Sequence, residues 1–237
     1  VARADYAGLL RVASVMVGED GHRGWVYYLA VDPSAQGRGL GRRMMAAAEA
    51  WLQARAAGPQ PSLVGDLAER FRSKAEYLAS TVAAVAELVE APTAVATYLA
   101  ANDLGSRVVA TPDLGVLDWS SAGLAVALRP AVDTDTVGIS GCFCAIAETG
   151  TLMLLSGNET PATVSLLPET HIGLVPVSRI VATMEDAFAL LRAERGELPR
   201  AVNFISGPSR TGDIEQTIVL GAHGPCRVHL ILIGDLS

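Results

Sequence analysis

Short apolar runs alternate with amphipathic stretches along the chain, and the change of period marks its organisation. Arg11–Gly18 and Trp25–Val31 are rich in Val, Tyr and Leu and flank Glu19-Asp20-Gly21, which predicts a β-hairpin. From Leu40 to Ala57, the residues Leu40, Met44, Ala47, Ala48, Trp51 and Leu52 recur at helical spacing, while Arg42, Arg43, Glu49, Gln53 and Arg55 fill the other face. Gly58 and Pro59 end that helix. The stretch GPQPS, 58–62, resists helix and strand alike and reads as a linker. The expected division is therefore a first segment over 1–57, a linker over 58–61 and a second domain over 62–237.

Beyond the linker, Leu63, Leu67, Phe71 and Leu78 mark a helix, Thr81–Val85 a short strand, and Pro92–Ala101 a helix with Pro in its first turn. After Gly105, strands are expected at 107–111, 124–130, 151–156, 171–177, 201–206 and 227–233. Helices are expected at Thr183–Arg195 and Asp213–Leu220, the second because Asp213 and Gln216 have the spacing of a capping box. Most of these strands are apolar on both sides, as in strands covered on both faces. Strand–helix–strand alternation argues for an α/β domain layered around a parallel sheet. No internal repeat or low-complexity tract is evident.

Composition narrows the picture. Half of the 237 residues are hydrophobic and 18% are charged, enough for a packed core. No apolar run is long enough to span a bilayer, and no basic start precedes an apolar block, so neither membrane attachment nor a signal peptide is expected. The formal net charge of −7 argues against a nucleic-acid partner. Three cysteines, Cys142, Cys144 and Cys226, are too few and too irregularly spaced for a disulfide framework or a metal centre, so a reducing cytoplasm and no metal are expected.

Three stretches carry candidate chemistry. In the first segment, Gln36-Gly37-Arg38-Gly39-Leu40-Gly41 follows a strand and opens a helix. Glycines admit close backbone approach, helix-start amides favour an anion, and Arg42 and Arg43 add donors, so a pyrophosphate would suit this loop. In the second domain, Glu148 lies in an apolar setting before Thr149, Gly150 and Thr151. It reads either as a carboxylate for acid, base or nucleophilic work or as a structural partner of turn amides. In the third stretch, Ser206-Gly207-Pro208-Ser209-Arg210-Thr211 follows a buried strand. At the carboxyl end of a strand these residues would suit a carboxylate or phosphate, with pairing of Arg210 to Asp213 or Glu215 as the alternative. His171 and His223 have no metal-ligand partner at a recognised spacing and read as structural, with His223 on a turn at the opposite end from Arg210.

The stretch YYLAVDPSAQGRGLGRRMMAAAEAWL resembles the acetyl-CoA loop of the Gcn5-related N-acetyltransferases (GNAT), with Gln36, Gly39 and Gly41 on the family's loop pattern. The resemblance implies that the amides from Gly37 to Gly41 would hold the CoA pyrophosphate. It covers only about the first 57 residues, and the family's later strands are replaced by the linker. It therefore implies a vestigial segment with residual acetyl-CoA binding at most; no other cofactor is expected.

AETGTLMLLSG, SLLPETHIGLVPVSRIV and ISGPSRTGDIEQTIVLGAHGP resemble the LUD-domain family in order and spacing, over roughly Ser62 to Ile233. Its motifs fall on Glu148, Thr149, Gly150, Thr151, His171, Ser206, Gly207, Pro208, Ser209, Arg210, Asp213, Glu215, His223 and Gly224. The resemblance implies a fold like that of the NagB/RpiA/CoA-transferase superfamily. It also implies a part in oxidising L-lactate to pyruvate beside iron–sulfur partner proteins, with a small carboxylate or phosphate ligand. Two rival roles accompany that reading: a non-catalytic assembly protein for the same system, and an acetyltransferase governed by the front loop.

Overall fold

The computed structural model describes residues 13–19, 24–54, 63, 65–196, 199–214, 217–221 and 223–235. The expected turn at 19–21, the helix end at 55–57, the linker at 58–61, Glu215 and Gln216 lie wholly or partly outside these residues. The chain divides into two units, residues 1–62 and 63–237.

In the first unit, β1 (Ala13–Glu19) and β2 (Gly24–Val31) form an antiparallel pair with an irregular register between Ser14 and Met16. Asp32 caps a 3-10 turn at Pro33–Ala35 by accepting from the Ser34 amide. Then α1 (Leu40–Gln53) begins at Gly39, whose φ of 69° is left-handed. This is the hairpin and helix that the apolar pattern predicts.

The second unit carries α2 (Leu67–Tyr77), β3 (Thr81–Val85), α3 (Ala91–Ala101), β4 (Arg107–Ala110), β5 (Ala125–Leu128), β6 (Val137–Ser140), β7 (Cys144–Ile146) and β8 (Thr151–Leu155). It continues with α4 (Thr163–Leu166), β9 (Thr170–Pro176), β10 (Ile180–Val181), α5 (Met184–Arg195), β11 (Val202–Ile205), β12 (Arg210–Ile214), β13 (Thr217–Leu220) and β14 (Arg227–Ile233). A six-stranded sheet has the order β3-β14-β9-β6-β4-β5, and every neighbouring pair in it is parallel. A four-stranded sheet has the order β10-β7-β8-β11, with β7–β8 and β8–β11 antiparallel. The fold is α/β, but not all of its strands join one parallel sheet.

Alternation along β14 shows how the layers form. Ile231 and Ile233 pack with Val95 and Leu99 of α3 on one face of the parallel sheet. Val228, Leu230 and Leu232 point the other way, into a core with Phe71 and Ala75 of α2 and Leu152 and Leu154 of β8. Both faces are buried, so the strand has no polar face to display. The outer face of the small sheet repeats the rule: Cys144, Ile146 and Met153 meet Ala187 and Leu191 of α5. Thr183 caps α5 in a capping box with Asp186. Among the described residues no helix is long and apolar enough to cross a membrane.

Two expectations are corrected. The segment 213–220 is not a helix. It belongs to a β-hairpin, β12 paired antiparallel with β13, in which Arg210 opposes Leu220 and Thr211 opposes Val219. Ile214, Thr217, Ile218 and Val219 are β-branched, and that stiffness favours a strand over the helix that the apparent capping box suggested. Three short strands, at 137–140, 144–146 and 180–181, also escape periodicity, because two to four residues are too few to show it.

Two histidines sit inside the parallel sheet. His171 on β9 is fully buried, its Nε2 2.9 Å from Ser140 Oγ. His229 on β14 stacks on Tyr98 at 3.8 Å and sets Nδ1 2.8 Å from Thr81 Oγ1. Burial pushes both imidazoles down from 6.5 to about 4, so both are neutral in the folded chain at neutral pH. Between those values the unfolded chain binds more protons, so stability falls as pH drops from about 6.5 to about 4. We expect the melting temperature to decline already between about pH 6.5 and 5, above the range where ordinary carboxylates titrate, with a loss of a few kcal/mol by about pH 4. Thermal melts in a pH series check this, and a constant melting temperature from pH 6.5 to 5 would contradict it.

Candidate functional site

The motif residues gather at one end of the second unit. The β7–β8 turn carries Glu148, Thr149 and Gly150, and the antiparallel pairing of β8 with β11 sets Thr151 beside Ser206, because Leu152 opposes Ile205. Thr149 Oγ1 donates to Thr151 Oγ1 at 2.8 Å, and Thr151 Oγ1 lies 2.5 Å from Ser206 Oγ. Thr151 is buried, Glu148 half-buried and Ser206 exposed, so this chain of hydroxyls leads from the core to the surface. The Glu148 amide donates to Ala182 O at 3.0 Å, which ties the turn to the end of β10.

Gly150 and Gly207 have structural reasons to be glycine. Both have left-handed φ, +67° and +75°. A Cβ on Gly150 would fall 2.4 Å from the Ala75 amide nitrogen, and one on Gly207 2.3 Å from Leu78 O. The backbone there lies directly on the end of α2, and no side chain fits between.

The same contacts correct the expected placement of Ser209–Thr211. Leu78 precedes β3 by three residues, and the Ser209 amide donates to Pro225 O, two residues before β14. These residues therefore follow the carboxyl end of β11 but lie at the amino end of the parallel sheet, since β11 belongs to the other sheet and runs against it. Arg210 is exposed and opens β12. His223 is not at the far end from Arg210. The hairpin returns the chain, Gly221 donates to Ser209 O at 3.0 Å, and a Cβ on Gly224 would meet Ser209 Cβ at 3.4 Å.

At the carboxyl end of the parallel sheet lies a cavity of about 230 Å3, lined in part by Leu154, Leu155, Ser165 and Arg179 of the family-like stretches but by none of the candidate site residues. From β4 the chain leaves for β5 at the sheet edge, and from β6 it leaves the other way, for β9. Connections that diverge from adjacent strands leave a crevice at their carboxyl ends, where ligands of open α/β sheets bind. Thr111, directly after β4, and Ser140, the last residue of β6, line the cavity. Leu154 and Asn203 of the small sheet wall it, and Cys142 and Arg179 complete the lining. A wider depression of about 580 Å3 shares Asp113, Leu155, Thr160 and Arg195 with it and opens to the surface.

Polar groups inside are unevenly satisfied. Thr111 Oγ1 and Asn203 Nδ2 are buried without a hydrogen-bond partner. Arg179 donates through Nε to Phe143 O at 2.7 Å, and through both terminal nitrogens to the Glu194 carboxylate at 2.6 and 3.0 Å. That fork holds the Glu194 carboxyl below its usual range. Desolvation pushes the Cys142 thiol up to about 12 and Cys144 to about 11, which disfavours the thiolate that metal binding or redox chemistry requires. Among the described residues no three His, Cys, Asp or Glu side chains are grouped to hold a metal ion.

In the first unit, Gly37 and Gly39 are left-handed, with φ of 76° and 69°, and Gln36 and Arg38 are exposed with Arg42 and Arg43. Gln36 Nε2 reaches back to Val31 O at 3.4 Å. Leu40 and Gly41 form the first turn of α1, where Gly41 faces the side chains of Val31 and Leu29.

Comparison with known proteins agrees with this division. The acetyltransferase (GNAT) family profile matches residues 3–60. Lactate utilization protein C of Shouchella clausii is 44% identical over 101 residues, 42% of this chain and 44% of that protein. The Bacillus subtilis protein of the same name is 41% identical over 102 residues, 42% of each chain. The Exiguobacterium protein of that name is 36% identical over 144 residues, 60% of this chain and 63% of its own. The chain thus spans less than two thirds of the length of these relatives. A crystal structure of a DUF162 family protein from Deinococcus radiodurans shares the fold, with a TM-score of 0.54 and 24% identity over 73% of this chain and all of that one. The LUD domain profile matches residues 68–233, most of the chain, which therefore belongs to the LUD-domain family.

Proposed function

We propose that the LUD unit is the ligand-binding component of a lactate-utilisation system, supporting oxidation of L-lactate to pyruvate beside iron–sulfur partner proteins. The names of the relatives support the role. The observation that carries ligand binding is the cavity at the divergence of β4 and β6. A domain that only scaffolds its partners has no use for a cavity lined by unpartnered polar groups, whose burial costs stability.

The amino-end cluster supplies a second element of this reading. Glu148 is the acid–base group for an anion held at this end, separate from the cavity, and the Thr149–Thr151–Ser206 chain orders the hydroxyls beside it. Ser206, Ser209, Arg210 and Thr211 make an exposed anion contact, with Gly150 and Gly207 fixing the backbone. Deleting the gene in its source organism should abolish growth on L-lactate and leave growth on glucose intact. Restoring it as Glu148→Gln should recover growth poorly, by at least about tenfold in rate if proton transfer is the role. Undiminished growth of the deletion strain on L-lactate would overturn the role. Full recovery by Glu148→Gln would overturn the chemistry assigned to that side chain.

The first unit takes no catalytic part in this reading. Its described elements are one hairpin and one helix. Acetyl transfer needs a groove for the pantetheine arm, and the match to the acetyltransferase family ends at residue 60, before the later strands that would complete such a groove. We expect no acetyl transfer to a panel of amines, measured by CoA release. Turnover that disappears in Gly39→Glu would show the loop to be active.

A further inference from the structure

We infer that the cavity at the carboxyl ends of β4 and β6 binds a small monocarboxylate bearing an oxygen on the adjacent carbon, gripped by Thr111 and Asn203. This deepens the ligand-binding reading above and rests on it for the choice of acid, whereas the site and its charge preference stand on the cavity itself.

The first argument is unmet hydrogen bonding. Thr111 is 2% exposed and its hydroxyl has no partner. Its own amide donates to Ile139 O at 3.0 Å, so the backbone at the strand end is satisfied and only the side chain is left over. Asn203 Nδ2, on the opposite wall, is likewise buried and unpaired. Burying a polar group without a partner is costly, and of the seven described side chains that carry such an atom Thr111 and Asn203 are the two that line the cavity.

The second argument is the kind of partner they lack. An amide nitrogen only donates, and a hydroxyl can donate. A guanidinium has five N–H donors, of which Arg179 commits three, to Phe143 and Glu194. The spare capacity of the cavity is therefore mainly donor capacity, and a carboxylate is an acceptor-only group with room for several donors. The Thr111 hydroxyl, the two N–H of Asn203 and the two uncommitted N–H of Arg179 outnumber the roughly four acceptor sites of a carboxylate, and an oxygen on the neighbouring carbon accepts the remainder.

Charge and size narrow the class. Arg179 and Arg195 are balanced by Glu194 and Asp113 around the lining. A doubly charged phosphate would find no net positive charge to offset its desolvation, whereas a single carboxylate is served by the polarised donors. About 230 Å3 is below the range of drug-sized pockets, so the ligand is a few carbons long. 2-Hydroxy and 2-oxo acids of the size of lactate and pyruvate meet all of these conditions.

The test is titration calorimetry and thermal melting of the full chain with L-lactate, pyruvate, propionate and inorganic phosphate. Lactate or pyruvate should bind saturably and raise the melting temperature. Propionate, which lacks the second oxygen, should bind about tenfold more weakly, and any phosphate binding, at the other anion contacts, should be unaffected by changes at Thr111 and Asn203. Thr111→Val removes the hydroxyl at nearly constant shape. It should weaken binding about tenfold or more while leaving the melting temperature of the ligand-free protein unchanged or higher, because an unsatisfied buried group has been removed. Asn203→Asp places a like charge in the cavity and should abolish binding. Absence of saturable binding by every acid, phosphate binding that is lost in both variants, or unaltered acid affinity in both variants would overturn the site. Binding as expected in a protein whose deletion leaves growth on lactate intact would keep the site and reject the lactate role.

Discussion

Parallel strands cannot be joined by a tight turn, so every neighbour in the six-stranded sheet is reached by a crossover that must lie on one face or the other. The rest of the second unit follows from that constraint. The crossovers cover both faces, which is why β9 and β14 are apolar at nearly every position and why α3 packs on one side and α2 on the other. The small sheet is inserted into the crossover between β6 and β9 and into the return to β14, so it becomes a third layer with its own helix, α5. The reversal of direction between β4 and β6 is the one place where adjacent strands send the chain apart, and the cavity opens there.

The two ends of the domain are built differently. At the amino end the backbone lies so close to α2 that glycine is required at 150 and 207, and the hydroxyls of Thr149, Thr151 and Ser206 satisfy one another. These three hydroxyls hold the start of β8 and the end of β11 together. At the carboxyl end the balance is opposite. Arg179 is held by Phe143 and Glu194, but Thr111 and Asn203 are left with capacity to spare. A closed network gives rigidity, and an open one inside a cavity gives recognition.

Much of the fold was legible because burial leaves a period. RVHLILI reads as a doubly covered strand, and Thr183 with Asp186 announces α5. The hairpin at 210–220 was misread because Asp213 and Gln216 imitate a helix start, while the β-branched residues that decide the matter follow it. Sheet order leaves no local trace, and it reversed the meaning of Ser209–Arg210: the end of a strand in the small sheet is the beginning of the large one. The motif residues Thr149, Thr151 and Ser206 do come together. Thr111, Ser140 and Asn203 were missed because they lie outside the family-like stretches, and Arg179, inside SLLPETHIGLVPVSRIV, because nothing local places it beside them. A usable signal existed in Thr111 and Ser140, each a polar residue closing an apolar strand, but only the adjacency of β4 and β6 shows that they share a site.

The claim on which this account turns is that strand topology, rather than the clustered motif, locates the ligand. A crystal structure of the full chain soaked in pyruvate tests it most directly. The account predicts density for the acid at the carboxyl ends of β4 and β6, with oxygen atoms within hydrogen-bonding distance of Thr111 Oγ1 and Asn203 Nδ2. Density confined to the amino end, among Ser206, Ser209 and Arg210, with no acid beside Thr111, would contradict it.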